Sequence, residues 1–118
     1  MAPQNIQIFG KSKCFDTQKA QRWFKERRVK FQYIDLPKYG MSNGEYKSVK
    51  QALGGLDKLM DSESKLYEQL FIAHLAYEAD KEEKLLDNPG LFKTPIVRCG
   101  KKATVGFCPE VWEAWLKD

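Results

Sequence analysis

The stretch IQIFGKSKCFDTQKAQRWF, residues 6–24, decides the fold, because it leads from a short apolar strand through a loop into an amphipathic helix. Strand propensity comes from Ile6, Ile8 and Phe9. Asp16 or Thr17 is predicted to be the helix N-cap, and the helix is predicted to end near Arg28. Its apolar face is formed by Ala20, Trp23 and Phe24.

The loop carries Cys14, which is predicted to lie at or just before the helix N-terminus. Unpaired backbone N–H groups and the positive end of the helix dipole favour an anion there, and a thiolate is an anion. Lys11 and Lys13 add two cations close by. These effects predict a Cys14 pKa below its free value of about 8.5. The alternative is that Cys14 is a small buried apolar residue, and position alone leaves both possibilities open.

Length and composition predict one domain, residues 1–118, in an ordinary soluble protein with 42% hydrophobic and 31% charged residues. The sequence has neither a long apolar run nor a signal-peptide pattern, so no membrane association and a cytoplasmic location are expected. Three cysteines at wide spacing argue against a secreted disulfide framework and form no zinc pattern, and no metal site or bound cofactor is predicted. These are Cys14, Cys99 and Cys108.

Charge is distributed in a bipolar way. Residues 1–30 carry eight Lys or Arg against two acids, whereas residues 61–87 carry eight acids against three lysines. A positive face on the first helix would attract an anionic thiol such as glutathione or an acidic protein surface, although a solvated helix face explains the pattern equally simply. No phosphate loop, RNA-binding signature or arginine-rich tract is present, so direct nucleic-acid binding is not expected.

The remaining elements follow in order. Residues 30–36 predict a second strand, parallel to the first through a βαβ crossover. A turn at Pro37 and Gly40 precedes a helix that is opened by the capping box Ser42–Glu45 and stopped by Gly54 and Gly55. A helical stripe of Leu66, Leu70, Ala73 and Tyr77 and a short helix at 80–86 come next, and His74 is assigned no catalytic role.

The C-terminal third predicts an antiparallel hairpin, with strands at 94–98 and 103–107, and a last helix that Pro109 opens. This helix has a bulky apolar face of Val111, Trp112, Trp115 and Leu116. The element order predicts an α/β, thioredoxin-like fold: a mixed four-stranded sheet with helices on both faces and a helical insertion at about 42–87, between strands 2 and 3.

The chain resembles the ArsC/Spx family, the arsenate-reductase-like branch of thioredoxin-fold proteins. The motifs that carry the resemblance are IFGKSKC with DTQKAQRWF, Ser64–Tyr67, Lys93–Val97 and Val105–Phe107. The resemblance implies that Pro95 follows a cis peptide bond and packs against the active-site cysteine. The candidate substrate-binding residues beside Cys14 are accordingly Lys11, Lys13, Thr17, Thr94 and Pro95, with helix capping as the competing role for Thr17.

The chain departs from the family pattern at two places. Arsenate reductases of this type place an arginine directly before the cis proline, where this chain has Thr94, and a second near Phe107 or Cys108. A tetrahedral oxyanion needs bidentate, permanently charged donors, so arsenate reduction is not expected. The Spx redox switch uses a C-x-x-C pair, which is absent because Thr17 occupies the second position.

A lone thiolate still attacks disulfides, and a second thiol then resolves the mixed disulfide. That thiol is either glutathione or Cys108, which the hairpin brings back toward Thr94 and Pro95; alternatively, Cys108 is an incidental loop residue. Cys99 is predicted to lie too far away.

Three functional classes follow for this chain. A glutathione-dependent, glutaredoxin-like thiol–disulfide oxidoreductase with Cys14 as nucleophile leads, acting on glutathione or a protein disulfide. The alternatives are an Spx-like regulator that binds RNA polymerase and a non-catalytic interaction domain.

Overall fold

The computed structural model describes residues 6–117, which form four strands and six α-helices. The strands are β1 (Ile6–Gly10), β2 (Phe31–Asp35), β3 (Ile96–Cys99) and β4 (Lys102–Val105). The helices are α1 (Phe15–Glu26), α2 (Leu36–Tyr39), α3 (Asn43–Leu53), α4 (Lys65–Gln69), α5 (Glu78–Asp87) and α6 (Pro109–Leu116). Three single 3₁₀ turns lie at Leu56–Lys58, Ile72–His74 and Pro89–Leu91.

The strands form one mixed sheet in the order β2-β1-β3-β4. Strand β1 is parallel to β2, with Ile8 opposite Tyr33, and antiparallel to β3, with Ile8 opposite Val97. Strands β3 and β4 form the predicted antiparallel hairpin. The four-stranded mixed sheet and its βαβ unit therefore confirm the predicted fold class.

Each face of the sheet is covered by helices, because the apolar residues alternate along the strands. Helices α1 and α6 cover one face, where the rings of Trp23 and Phe24 lie 5.5 and 5.1 Å from that of Trp112. The segment between β2 and β3 covers the other face, and its core includes Tyr46, Val49, Leu59, Ile72, Leu85, Leu91 and Phe92. No helix in residues 6–117 is long and apolar enough to cross a membrane.

Helix α3 begins and ends as its sequence predicts. The Ser42 hydroxyl accepts from the Glu45 N–H at 3.2 Å, and the Glu45 carboxylate accepts from the Ser42 N–H at 3.0 Å. Gly54 ends the helix in the left-handed conformation, with φ of 87°. The capping-box prediction is confirmed, and it fixes where the segment between β2 and β3 meets the sheet.

Two predictions in this segment are wrong. Where a turn was predicted at Pro37 and Gly40, Leu36–Tyr39 form the short helix α2, since Pro37 fits the first turn of a helix. The predicted stripe through Ala73 and Tyr77 does not exist, because Phe71 adopts a left-handed conformation with φ of 54° just after α4. This reversal turns Ile72 into the core and leaves Tyr77 72% exposed.

Candidate active site

Cys14 is the N-cap of α1, one residue before the helix begins. Its N–H donates to the Lys11 carbonyl at 3.0 Å, and its carbonyl accepts from the Gln18 N–H at 3.1 Å. The prediction of Asp16 or Thr17 as N-cap is wrong, because the helix already includes both residues. The helix ends at Glu26, two residues before the predicted end. The thiol therefore stands at the end of the helix where backbone N–H groups lack helical partners.

Thr17 is fully buried beneath the loop and does not cap the helix. Its hydroxyl oxygen accepts a hydrogen bond from the Lys11 N–H at 3.4 Å. A Cβ atom on Gly10 would stand 2.4 Å from Thr17 Cγ2, so only glycine fits at the end of β1. The close approach of β1 to α1 thus holds the Thr17 hydroxyl next to Cys14.

Thr94 reaches the thiol from the other side. The Cys14 sulfur donates to the Thr94 carbonyl at 3.7 Å, and the peptide bond between Thr94 and Pro95 is cis. Pro95 is buried, and its carbonyl accepts from the Gly106 N–H at 2.8 Å. These contacts bring the start of β3 and the end of β4 to the N-terminus of α1.

The pKa of Cys14 is lowered, although its partial burial acts in the opposite direction. Hydrogen bonds to the side chains of Thr17 and Thr94 and to the backbone of Thr17 and Asp16 outweigh that burial. Each of these bonds favours the thiolate over the thiol. A lowered pKa is what the position of Cys14 at the helix N-terminus predicts.

Lys11 and Lys13, the two predicted cations of the loop, have different surroundings. The Lys11 ammonium donates to the Gly90 carbonyl at 2.7 Å, and Lys13 is exposed. The groups that lower the Cys14 pKa are hydroxyls and backbone amides rather than these cations. The loop directs the Lys11 side chain to the turn that contains Gly90, so the activation of the thiol by lysine charge stays a prediction.

Tyr33 is a residue near the site that the sequence did not point to. Its hydroxyl is buried and makes no hydrogen bond to another described residue. Burial raises the pKa of Tyr33, and the charges of Asp35 and Cys14 raise it further. The sequence predicted only that Tyr33 lies in the second strand, because its electrostatic coupling to Cys14 depends on tertiary structure.

Cys108 is the N-cap of α6, and its sulfur donates to the Val105 carbonyl at 3.4 Å. Burial raises its pKa, and the carboxylates of Glu110 and Asp16 raise it further. Cys14 and Cys108 are both free thiols. Cys99 lies opposite Ile6, at the other end of β1 from Cys14.

A groove of about 480 Å³ opens beside Thr94. It is lined by two acids, two lysines, two apolar residues, a threonine and a glycine: Asp16, Asp57, Lys58, Lys93, Leu53, Val105, Thr94 and Gly106. Asp57 and Lys58 were not predicted as groove residues, because no local pattern in their 3₁₀ turn indicates that it lies beside Thr94.

The four arginines of the chain lie away from the thiol. The Arg98 guanidinium donates to Gln7 and to Ser48, on the α3 side of the sheet. Arg27 stacks 3.9 Å over the Trp23 ring, while Arg22 and Arg28 lie in the second half of α1 and just after it. Within residues 6–117, no guanidinium is placed for a bidentate bond to an oxyanion at Cys14, and no cluster of His, Cys, Asp and Glu could hold a metal ion.

The mixed sheet, the cysteine at the N-terminus of α1 and the cis proline define a protein of the thioredoxin-like class. The ArsC family model matches residues 9–115, and the chain therefore belongs to the ArsC family. The identification as an ArsC/Spx-type chain is thus confirmed.

Known relatives and structures agree with that assignment. The "Global transcriptional regulator Spx" of Staphylococcus aureus is 27% identical over 105 residues, covering 86% of this chain and 79% of the relative. YusI of Bacillus subtilis is 29% identical, covering 86% of this chain and 89% of the relative. An arsenate reductase from Vibrio cholerae superposes with a TM-score of 0.81 at 23% identity, covering 92% of this chain and 94% of that one. The structural similarity between this chain and the Vibrio cholerae protein establishes the fold.

Proposed function

We propose that the chain is a thiol–disulfide oxidoreductase in which Cys14 is the nucleophile. The observation that carries the proposal is the place of Cys14 as N-cap of α1, with its sulfur 3.7 Å from the carbonyl of Thr94, directly before the cis proline. The hydroxyls of Thr17 and Thr94 stabilise the thiolate at a helix N-terminus, and the thiolate is the reactive form of cysteine. Family membership supports thiol-based redox chemistry or an Spx-like regulatory role.

The chemistry begins with attack of the Cys14 thiolate on one sulfur of a disulfide. A bond forms between Cys14 and that sulfur, the substrate S–S bond breaks, and the second substrate sulfur leaves as a thiolate that takes a proton. A low-molecular-weight thiol such as glutathione then attacks the mixed disulfide and releases Cys14. The first glutathione is then bonded to the substrate sulfur, and a second glutathione cleaves this bond and releases the substrate thiol. In total, one disulfide is reduced and two glutathiones are oxidised to glutathione disulfide.

Cys108 is the internal alternative to glutathione as the resolving thiol. Its position at the start of α6, directly after the β3–β4 hairpin that follows Thr94 and Pro95, supports this role, whereas its raised pKa slows its attack. In that route the Cys108 sulfur displaces the substrate sulfur from Cys14, and glutathione afterwards reduces the Cys14–Cys108 disulfide.

Arsenate is not proposed as a substrate. Arsenate reductases of this type hold the oxyanion with arginines at two positions. The first is Thr94 in this chain, the second is Phe107 or Cys108, and all four arginines lie elsewhere. Hydroxyls do not replace the fixed charge and forked geometry of a guanidinium.

The proposal is tested by incubating the Cys99→Ser/Cys108→Ser chain with glutathione disulfide and measuring its mass. We expect one glutathione adduct per chain. The matched control is the same variant with Cys14→Ser added, which should form no adduct. Absence of an adduct at Cys14 between pH 6 and 9, in folded protein, would exclude the enzyme function.

An Spx-like role is the second candidate, supported by the curated relatives that are named transcriptional regulators. It predicts a stable complex with RNA polymerase and no turnover of disulfides. Co-purification of the two proteins from a mixture of pure components distinguishes it from the oxidoreductase. If the chain neither binds polymerase nor forms the adduct, the remaining candidate is a non-catalytic interaction domain.

A further inference from the structure

Tyr33 carries a buried polar group that the disulfide exchange does not use. Its hydroxyl is shielded from solvent and has no hydrogen-bond partner in the described part of the chain. Such a group costs free energy on folding, because it loses its hydrogen bonds to water and gains none in return. The chemistry around an unpaired buried hydroxyl should therefore explain why it is there.

The sheet places the Tyr33 ring on the same face as Cys14. In the parallel pair of β1 and β2, Tyr33 lies opposite Ile8, and paired residues of neighbouring strands direct their side chains to the same face. Ile8 belongs to the core between the sheet and helices α1 and α6, and Tyr33 packs against that core. Since Cys14 is the N-cap of α1, the phenol and the thiol lie on one face of the sheet.

Tyr33 and Cys14 also lie toward the same edge of the sheet. Strand β2 ends shortly after Tyr33, at Asp35, which pairs with Gly10 at the end of β1. The chain then runs from Gly10 through the loop 11–13 to Cys14. Burial and the charges of Asp35 and Cys14 raise the pKa of Tyr33, which agrees with this placement. The raised pKa keeps the hydroxyl protonated at neutral pH, so it has a hydrogen to offer.

The sulfur of Cys14 has different hydrogen-bonding needs in its two protonation states. As a thiol, it donates to the Thr94 carbonyl at 3.7 Å. As a thiolate, it has no hydrogen to donate and is stabilised by hydrogen-bond donors and by dipoles whose positive end faces it. A tyrosine hydroxyl rotates to suit its surroundings, and no described residue holds the hydroxyl of Tyr33 in another direction.

We propose, resting on the oxidoreductase function above, that Tyr33 is a positioning residue whose hydroxyl turns its hydrogen toward Cys14 and stabilises the thiolate. The interaction is electrostatic, is strengthened by the low dielectric of the core, and acts on the nucleophile rather than on the substrate. The Asp35 carboxylate is the competing charge, because it attracts the same hydrogen. The free energy that the unpaired hydroxyl costs in the thiol state is thus partly recovered when the nucleophile forms.

The test compares the pH profile of Cys14 alkylation in the Cys99→Ser/Cys108→Ser chain with and without Tyr33→Phe. Iodoacetamide is the probe, and modification is measured by mass. Loss of the hydroxyl should shift the profile upward by about half a pH unit to one unit, so that alkylation at neutral pH is about three to ten times slower. At high pH, where all of the thiol is ionised, the rate of the variant should equal or slightly exceed that of the parent.

The compared chains share the other titratable side chains near the pair. Those on the neighbouring loop, helix and strand ends are Lys11, Lys13, Asp16, Asp35 and Lys93, and residue 108 is serine in every chain compared. Tyr46→Phe is the matched control. The Tyr46 hydroxyl is also buried, but its ring lies in the core on the other face of the sheet, so its loss should leave the profile of Cys14 unchanged.

The stability of the Tyr33 variant is a second measurement. Tyr33→Phe should resist urea at least as well as the parent, because it loses a buried hydroxyl but no hydrogen bond. Lower resistance would show that the hydroxyl has a partner within the protein and would overturn the inference. An unchanged profile, a slower rate without a shifted midpoint, or an equal shift in Tyr46→Phe would overturn it too.

The same chains separate the role of Tyr33 from the function on which it rests. If the parent forms the adduct with glutathione disulfide but Tyr33→Phe does not shift the profile, the oxidoreductase function stands and only the role of Tyr33 is wrong. If the parent forms no adduct while Tyr33→Phe shifts the alkylation profile upward, the function is wrong and the stabilisation of the thiolate by Tyr33 stands.

Discussion

The Cα atom of Gly10 lies so close to Thr17 that a Cβ atom at residue 10 would stand 2.4 Å from Thr17 Cγ2 and 2.7 Å from its hydroxyl oxygen. This contact joins the end of β1 to the first turn of α1. It also fixes the hydroxyl that stabilises the Cys14 thiolate.

Replacing Gly10 with alanine should therefore destabilise the protein. Thr17 is fully buried and has no space into which to move, so the added methyl group should cost about 1–3 kcal/mol of unfolding free energy. Urea denaturation measures the change. Gly44→Ala is the control, since no atom lies within 4 Å of a Cβ atom built on Gly44. Its free energy of unfolding should equal or slightly exceed that of the parent. Equal stability of the two variants would show that Thr17 is not confined.

Replacing Thr17 with valine should raise the pKa of Cys14, because the side chain keeps its shape but loses the hydroxyl that favours the thiolate. It should also cost about 1–3 kcal/mol, since the Lys11 N–H loses its acceptor. The pH profile of alkylation reports the pKa. Thr17→Ser retains the hydroxyl and should keep the profile close to that of the parent, whereas identical profiles for the valine and parent chains would contradict this role.

The lowered Cys14 pKa also couples stability to pH. The folded chain releases this proton at a lower pH than the unfolded chain, whose thiols titrate at about 8.5. The thiolate thus contributes stability that is complete above the unfolded pKa and is lost as the pH falls through the folded pKa. The advantage of the parent over Cys14→Ser in denaturation under reducing conditions should grow from neutral pH to about 9. An advantage that is constant with pH would be inconsistent with this coupling.

Trp112 is central to the core between α1, α6 and the sheet. It is fully buried, and its indole N–H donates to the Thr104 hydroxyl at 2.7 Å. Trp112→Ala should cost about 3–5 kcal/mol. Glu113→Ala, on the exposed side of the same helix, should change stability by no more than about 0.5 kcal/mol. Unchanged melting of the Trp112 variant would mean that this face of α6 is not core.

Local signals predicted those parts of the fold that depend on neighbouring residues. The Ser42–Glu45 capping box and Gly54 marked both ends of α3 because each makes its hydrogen bonds within a few residues. Phe71 was not predictable in this way. A left-handed conformation at a phenylalanine is rare and is imposed by the surrounding tertiary structure.

The candidate active site also combines features that depend on local sequence with contacts that only the folded chain creates. The strand–loop–helix pattern around Cys14 predicted a thiol at a helix N-terminus, which depends on local sequence. The roles of Lys11 and Thr94 depend on contacts with residues about 80 positions away along the chain, so they needed the folded structure. The contribution of the helix N-terminus to the Cys14 pKa was therefore predictable from local sequence, whereas that of Thr94 was not.

The pKa of Cys14 decides whether this thiol is an activated nucleophile. It is measured by pH-dependent alkylation of the Cys99→Ser/Cys108→Ser chain, with the unfolded chain in denaturant as the reference for a free thiol. The account predicts that the folded protein titrates at lower pH than the unfolded chain. A folded-state pKa equal to or above that reference would contradict an activated thiolate and leave Cys14 a structural residue.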